Sequence, residues 1–134
     1  MLMGMVGDSR YSNINSETNT WVAQVITNGG ASPTVTSQRY VDTLIGSIKG
    51  SGDIGPALTT KFDRIWLLAN YDNNTVASRT SIVNPASTMA SENGTFTSTT
   101  LGYTSNGTTG YLDSNLAANA GTTFTQNSGS FGTY

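Results

Sequence analysis

The stretch Asp63–Asn70, with an unbroken apolar run from Ile65 to Ala69 at its centre, constrains the fold of this chain most strongly. It is the densest apolar run in the sequence, and polar residues bound it on either side. Burial contributes about 1.5–3 kcal/mol for each large apolar side chain. We therefore expect the preceding segments to pack on this run, with Trp66, Trp21 and Leu44 at the centre of the core.

Two helices are predicted before this run. The first begins near Ser16, a good N-cap residue, carries an apolar stripe that includes Trp21 and Val25, and ends at Asn28-Gly29-Gly30. The second begins at Ser37, carries a stripe from Tyr40 to Ile48 and ends at Gly50.

A third helix is predicted to begin at Pro56, because proline fits the first turn of a helix. Periodicity does not decide between helix and strand at residues 65–69, since the run is apolar on every side; helix is the favoured interpretation. One further short helical turn is expected within residues 75–83, before Pro85.

The composition changes at Ala86, after which only Glu92 and Asp113 carry charge. Alternating apolar and polar residues at 94–97, 101–104 and 110–114 predict short strands. Asn106-Gly107 is the strongest short hairpin signal in this part of the chain.

The expected fold class is α+β, with a small N-terminal helical unit of about three helices and then an incomplete antiparallel β segment. We expect an N-terminal arm at residues 1–15, the helical unit at 16–84 and a Thr/Ser/Gly-rich β segment at 85–134. A length of 134 residues favours one domain, or one small domain with an incomplete second.

Charge and hydropathy argue against two classes of partner. The 6 basic residues are scattered, so no basic stripe is available to neutralise phosphates, and nucleic-acid binding is not expected. No apolar run approaches the ~20 residues that a membrane-spanning helix needs. The N-terminal residues also lack the basic start and the length of a secretory signal.

The sequence contains neither cysteine nor histidine. Disulfides, a thiolate site, the commonest general base and the commonest zinc ligand are therefore absent. Gly7-Asp8-Ser9 resembles the first block of the SGNH (GDSL-like) hydrolases, in which the serine is the nucleophile. That nucleophile needs a base, normally histidine, so we interpret these residues as a turn. We expect no enzymatic activity, catalytic residue, cofactor or metal.

Two clusters carry oxygen ligands of the kind that Ca²⁺ prefers: Asp72 with Asn73 and Asn74, and Asp113 with Asn115. Neither has the carboxylate number or spacing of a calcium loop, and turn capping is the favoured interpretation. Four aromatic residues form either a sugar-stacking platform or, as we favour, strand contacts with a sheet or a neighbour. They are Tyr103, Tyr111, Phe124 and Tyr134.

Two groups of motifs resemble virion structural proteins of bacteriophages and prophages. The first comprises Trp21-Val22 with Val25, Asn28-Gly29-Gly30, Val41-Asp42 with Leu44-Ile45, Lys49, and Phe62 to Ala69. The second comprises Gly102-Tyr103-Thr104, Asn106-Gly107-Thr108 and Tyr111-Leu112-Asp113, and it is also similar to the opening strands of concanavalin-A-like (laminin-G-like) jelly rolls. The resemblance spans about residues 18 to 127 and implies a tail or capsid-associated component with a jelly-roll-like β segment.

The function expected from the sequence is therefore that of a non-enzymatic structural component of a bacteriophage virion. Its expected partners are other copies of itself and other virion proteins, and its expected location is the virion. A carbohydrate-binding module for host-surface attachment is the alternative, and a hydrolase that uses Ser9 is a weaker third hypothesis. We further expect residues 86–134 to need strand addition to a neighbouring subunit, with Phe124, Phe131 and Tyr134 as anchors.

Overall fold

The computed structural model describes residues 14–50, 57–86 and 89–117. These residues form an α+β fold whose helices all precede its strands. The predicted N-terminal arm up to residue 13, with Ser9, lies outside the described residues, as do Pro56, Phe124, Phe131 and Tyr134. None of the helices in the described ranges is long and apolar enough to cross a membrane.

Helix α1 spans Ser16–Thr27 and matches the first predicted helix. Its N-cap residue, Asn15, makes no side-chain cap bond. Instead, Asp42 accepts hydrogen bonds from the Asn15 backbone nitrogen at 2.7 Å and from Thr18 Oγ1 at 3.0 Å. The start of α1 is therefore fixed by a carboxylate from the next helix.

Helix α2 spans Val35–Gly50 and begins two residues before the predicted N-cap. Thr34 is in the capping position, because its Oγ1 accepts from the Ser37 backbone nitrogen at 3.3 Å. Asp72 in turn accepts from the Thr34 backbone nitrogen at 2.8 Å and from its hydroxyl at 2.7 Å. The predicted start at Ser37 was wrong because Ser37 lies one turn inside the helix.

The third predicted helix is wrong over most of its length. Leu58–Thr60 form a short 3-10 helix, and residues 64–70 are neither helix nor strand. Ile65 O accepts from Ile82 N at 2.7 Å, and Asn70 N donates to Thr99 O at 2.9 Å. Bonds to these distant partners replace the i to i−4 ladder that a helix requires.

Helix α3 spans Thr75–Arg79, within the range predicted for a short helical turn. Asn74 caps it, with Oδ1 accepting from the Ala77 nitrogen at 3.0 Å. The Asn74 amide also donates to Ala31 O at 2.7 Å. One asparagine therefore fixes α3 and ties it to the loop between α1 and α2.

The core lies between α1, α2 and the chain around Ile82, not around Trp66. Trp21 is buried, and its indole nitrogen donates to Thr80 O at 3.2 Å. Trp66 is only half-buried and is outside the core cluster, and Leu44 lies at its margin. The buried members of the cluster are Trp21, Val25, Val41, Ile45, Leu58, Ile82 and Val83.

Four short strands form a single long hairpin that consists of two ladders. Strand β1 (Ser91–Asn93) pairs with β4 (Tyr111–Asp113), and β2 (Phe96–Thr99) pairs with β3 (Gly102–Ser105), both antiparallel. The predicted strands overlap β2, β3 and β4, whereas β1 was not predicted.

The chain reverses at Thr100–Leu101 rather than at the predicted Asn106-Gly107. Gly102, with φ +121°, closes this reversal opposite Thr99. Asn106–Gly110 instead form the loop between β3 and β4. This loop is longer than the connection between β1 and β2, which consists of residues 94–95 alone.

The hairpin packs on the helical unit through polar contacts. Asn70 Nδ2 donates to Ser98 Oγ at 2.9 Å, the hydroxyls of Ser78 and Tyr103 lie 2.8 Å apart, and Ala90 N donates to Arg79 O at 3.2 Å. Arg79 also pairs with Glu92 at 3.4 Å. The β segment is therefore connected to α3 and to the end of the apolar run.

Candidate subunit-contact site

Residues Trp66–Ala69, here called the contact segment, are neither helix nor strand and contact both the helical unit and the hairpin through the residues at their two ends. The bonds of Ile65 to Ile82 and of Asn70 to Thr99 fix its two ends. Between these anchors, no backbone group of the contact segment bonds to another described residue. An extended backbone with unpaired N–H and C=O groups is a template on which another strand can pair.

The side chains on either side of this backbone have different surroundings. Ile65 and Leu67 pack against the core cluster, whereas Trp66 and Leu68 are not part of that packing. This division follows from extended geometry, in which successive side chains point to opposite faces. All are only partly buried, so one face of the contact segment is apolar and incompletely covered.

Two buried polar atoms without a partner lie at this segment and its end. They are Trp66 Nε1 and Asn70 Oδ1. An unpaired buried donor or acceptor costs about 1–3 kcal/mol. These two unpaired atoms therefore raise the free energy of the isolated chain, and an arrangement that gave them hydrogen-bond partners would lower it.

The hairpin provides further unpaired edges. Each strand has a single partner, since both described sheets are two-stranded. Residues 93–112 contain no charged side chain. Leu101 at the reversal is 97% exposed and Tyr111 is 60% exposed. Natural edge strands usually carry charge that prevents pairing, and this hairpin lacks it between Glu92 and Asp113.

A cavity of about 20 Å³ lies between α2 and residues 67–78. Its lining is mainly apolar, with Ser37, Asn70 and Asp72 among the polar residues that contribute to it. A volume of this size fits a water molecule but not a sugar ring. Beside it, the exposed rings of Tyr40 and Tyr71 lie 4.7 Å apart between centroids, with an interplanar angle of 31°.

In both acidic clusters considered for calcium, the carboxylate accepts hydrogen bonds from within the protein. The Asp72 carboxylate is occupied by Thr34, and Asn74 caps α3. Asp113 Oδ1 accepts from the Asn115 nitrogen at 2.8 Å, within a turn. Among the described residues, no group of three or more Asp, Glu, His or Cys side chains is arranged to hold a metal ion.

Three carboxylates among the described residues have lowered pKa values: Glu17, which pairs with Lys49, and Asp42 and Asp72, which hold helix starts. Burial raises the pKa of Asp42, but hydrogen bonds from Asn15 and Thr18 outweigh it, so the pKa lies below its usual value. Burial likewise raises the pKa of Asp72, but hydrogen bonds from Thr34 and Ser37 outweigh this effect. The pKa of Asp72 therefore also lies below its usual value. Both aspartates therefore stabilise the helices in their ionised form.

Of the four aromatic residues considered as a sugar platform, Tyr103 and Tyr111 lie in the part of the chain that the structure describes, and Phe124 and Tyr134 lie outside it. Tyr103 bonds to Ser78 and packs edge-on against Phe96, with centroids 5.9 Å apart. Tyr111 is exposed on β4. Asp63 is buried, and its backbone carbonyl accepts from Arg64 Nη1 at 2.6 Å.

No protein-family model, curated protein or solved structure matches this chain.

The sequence did not identify the contact segment as an unpaired edge. The available signal was its apolar character on every side, which was interpreted as a buried helix. The pair of Tyr40 and Tyr71 was also missed, because 31 positions separate the two residues and no local pattern connects them.

Proposed function

We propose that this protein is a non-enzymatic structural component of a bacteriophage virion, tail or capsid-associated, that acts through contacts with copies of itself and other virion proteins. The observation that carries the proposal is the contact segment. Its backbone groups are unpaired, its exposed face is apolar, and no charge lies between Arg64 and Asp72. Such a segment is suited to strand addition by a neighbouring subunit.

The hairpin supports the same proposal from a second region of the chain. Its strands have unpaired edges, and the projecting Leu101 offers an apolar side chain to a partner. A freely dissolved protein usually carries more charge on such surfaces than this chain does. The assignment to a virion rests on the resemblance of the sequence motifs to phage structural proteins.

The non-enzymatic part of the proposal rests on composition. The chain has no histidine and no cysteine, so the most common general base and the most reactive nucleophile are missing from every site it forms. Within the described residues, three carboxylates have perturbed pKa values: Asp42 and Asp72 hold helix starts, and Glu17 pairs with Lys49.

The test is quantitative mass spectrometry of purified particles that carry wild-type protein or the variant Leu68→Lys. We expect wild-type protein at a fixed copy number per particle. A charge on the contact segment opposes strand pairing, so incorporation of the variant falls about tenfold or more.

Ala23→Lys is the matched control, because it adds the same charge on the exposed face of α1. We expect its incorporation to equal that of the wild type. Absence of the wild-type protein from particles contradicts the virion assignment. Equal incorporation of both variants contradicts the role given to the contact segment.

Carbohydrate binding is the second candidate, and the adjacent, exposed rings of Tyr40 and Tyr71 favour it. Aromatic faces contribute to sugar binding through apolar contact, and polar groups beside them fix orientation. Calorimetric titration with host-surface glycans tests it. Binding that disappears in Tyr71→Ala but persists in Tyr111→Ala supports this candidate, and no heat of binding for any glycan rejects it.

A further inference from the structure

Three Asn–Gly pairs occur in the described residues, at 28–29, 93–94 and 106–107. This dipeptide is prone to deamidation, because glycine has no Cβ to obstruct attack by its nitrogen on the preceding side-chain carbonyl. The three pairs have the same local chemistry, so differences between them in the folded protein report on structure.

The loop at Asn106 surrounds the side-chain carbonyl with donors. Asn106 Oδ1 accepts from the backbone nitrogens of Thr108, Thr109 and Gly110, each at 3.1 Å. The side chain is therefore folded over the backbone that follows it. Hydrogen-bond donors in this position polarise the carbonyl and stabilise negative charge that develops on its oxygen.

The attacking nitrogen of Gly107 directs its hydrogen to a neighbouring hydroxyl. Gly107 has φ +76°, and its N–H donates to Ser105 Oγ at 3.1 Å. That hydroxyl is in the returning arm beside an exposed loop, so it offers the proton of Gly107 a path to solvent. The leaving group, Asn106 Nδ2, donates to Thr109 Oγ1 at 3.0 Å.

Asn28 provides a contrast at the end of α1. Its Nδ2 donates to Thr80 Oγ1 at 3.1 Å, and its Oδ1 accepts from Gln24 Nε2 at 2.9 Å. The Gly29 nitrogen donates to Ile26 O at 3.0 Å. The Gly29 nitrogen, which would be the nucleophile, is thus bonded within the helix terminus. No described backbone N–H donates to the side-chain carbonyl of Asn28.

Asn93 is constrained in a different way. It pairs with Tyr111 in the β1–β4 ladder. Gly94 is packed so closely that a Cβ there would lie 2.7 Å from Thr109 O. Movement of the Gly94 nitrogen toward Asn93 is therefore opposed by both the ladder and this contact.

We propose that Asn106 is a site of self-catalysed deamidation in the folded protein. The Gly107 nitrogen attacks Asn106 Cγ and loses its proton to solvent, and the three backbone N–H groups stabilise the resulting oxyanion. Ammonia then leaves with a proton from solvent, which gives a succinimide. Water opens the succinimide to aspartate or isoaspartate at position 106.

The product changes the surface of the hairpin. It places one negative charge within residues 93–112, which have none. An aspartate there keeps the three N–H donors as partners, whereas an isoaspartate adds a carbon to the backbone and displaces the loop. Deamidation thus adds a charge to an edge that is otherwise ready to pair.

The test is peptide mapping by mass spectrometry of the full chain, incubated at mildly alkaline pH either folded or in denaturant. In denaturant we expect the three pairs to convert at similar rates. In the folded protein we expect Asn106 to convert at least as fast as in denaturant and about tenfold faster than Asn28, since preorganised donors lower the barrier only where they are present.

Ser105→Ala provides a second measurement, because it removes the acceptor of the Gly107 proton without altering the donors at Oδ1. We expect conversion at Asn106 to slow several-fold in the folded variant and to stay unchanged in denaturant. Conversion of wild-type Asn106 that is slower when folded than in denaturant overturns the proposal, because the hydrogen bonds then protect the side chain.

Discussion

At the scale of single residues, carboxylates hold the helix starts of this small fold. Asp42 reaches from the middle of α2 to the start of α1, and Asp72 holds the capping residue of α2. Each replaces interactions that a longer helix or a larger core would provide. Their ionised forms are the stabilising ones, because hydrogen bonds depress both pKa values.

Stability should therefore depend on pH in the acid range. A folded-state pKa below the unfolded value gives stability that is complete above the unfolded pKa of ~3.9 and is lost as pH falls through the folded value. We expect the free energy of unfolding, measured by urea titration, to fall below about pH 4. Asp42→Asn should lower stability at neutral pH and flatten this dependence.

The two tryptophans should differ in their contribution to stability. Trp21→Ala removes a buried side chain and its bond to Thr80, so we expect a loss of about 3–5 kcal/mol. Trp66→Ala removes a half-buried ring outside the core, and we expect a loss of about 1–2 kcal/mol. Urea unfolding of both variants measures the difference. An equal or larger loss at Trp66 would place that residue in the core.

At the scale of elements, the predictable features were those with a local cause. The two long helices were located to within two residues, because their apolar stripes have helical spacing and Gly29 and Gly50 lie at their ends. Residues 64–70 were not predictable, since their conformation depends on bonds to Ile82 and Thr99, which are distant in sequence.

The hairpin shows the same division between local and distant causes. Its strands follow from alternation, but the reversal lies at Thr100–Leu101 because the ladder register, not the Asn-Gly signal, places Thr99 opposite Gly102. The Asn106 side chain instead accepts hydrogen bonds from the backbone of the loop between β3 and β4. The contact segment was likewise invisible to pattern analysis, since unpaired backbone groups have no sequence signature.

Gly30 lies where α1 and α3 pack closely, so a methyl group added there should destabilise the fold. A Cβ on Gly30 would lie 2.9 Å from both Val25 Cγ1 and Val76 Cβ, so Gly30→Ala should cost about 1–3 kcal/mol. Gly46→Ala is the control, because a Cβ there meets nothing within 4 Å and alanine favours helix by about 1 kcal/mol. Thermal unfolding should therefore move in opposite directions for the two variants.

At the scale of the whole molecule, polar contacts rather than an apolar core join the hairpin to the helical unit. The bond between the Tyr103 and Ser78 hydroxyls is one of them. We expect Tyr103→Phe to cost about 0.5–1.5 kcal/mol. Tyr111→Phe, at an exposed position, should leave the free energy of unfolding unchanged. Equal effects of the two changes in chemical unfolding would show that the Tyr103 contact does not hold the hairpin.

Amide hydrogen exchange of the free chain and of the chain within particles tests the account most directly. In the free chain we expect fast exchange in the contact segment and along the hairpin, because their edges are unpaired and a two-stranded ladder is marginal alone. In particles we expect both regions to be protected by strand addition. Slow exchange across Gly102–Asp113 in a free monomer, with no change in the contact segment on assembly, would contradict it.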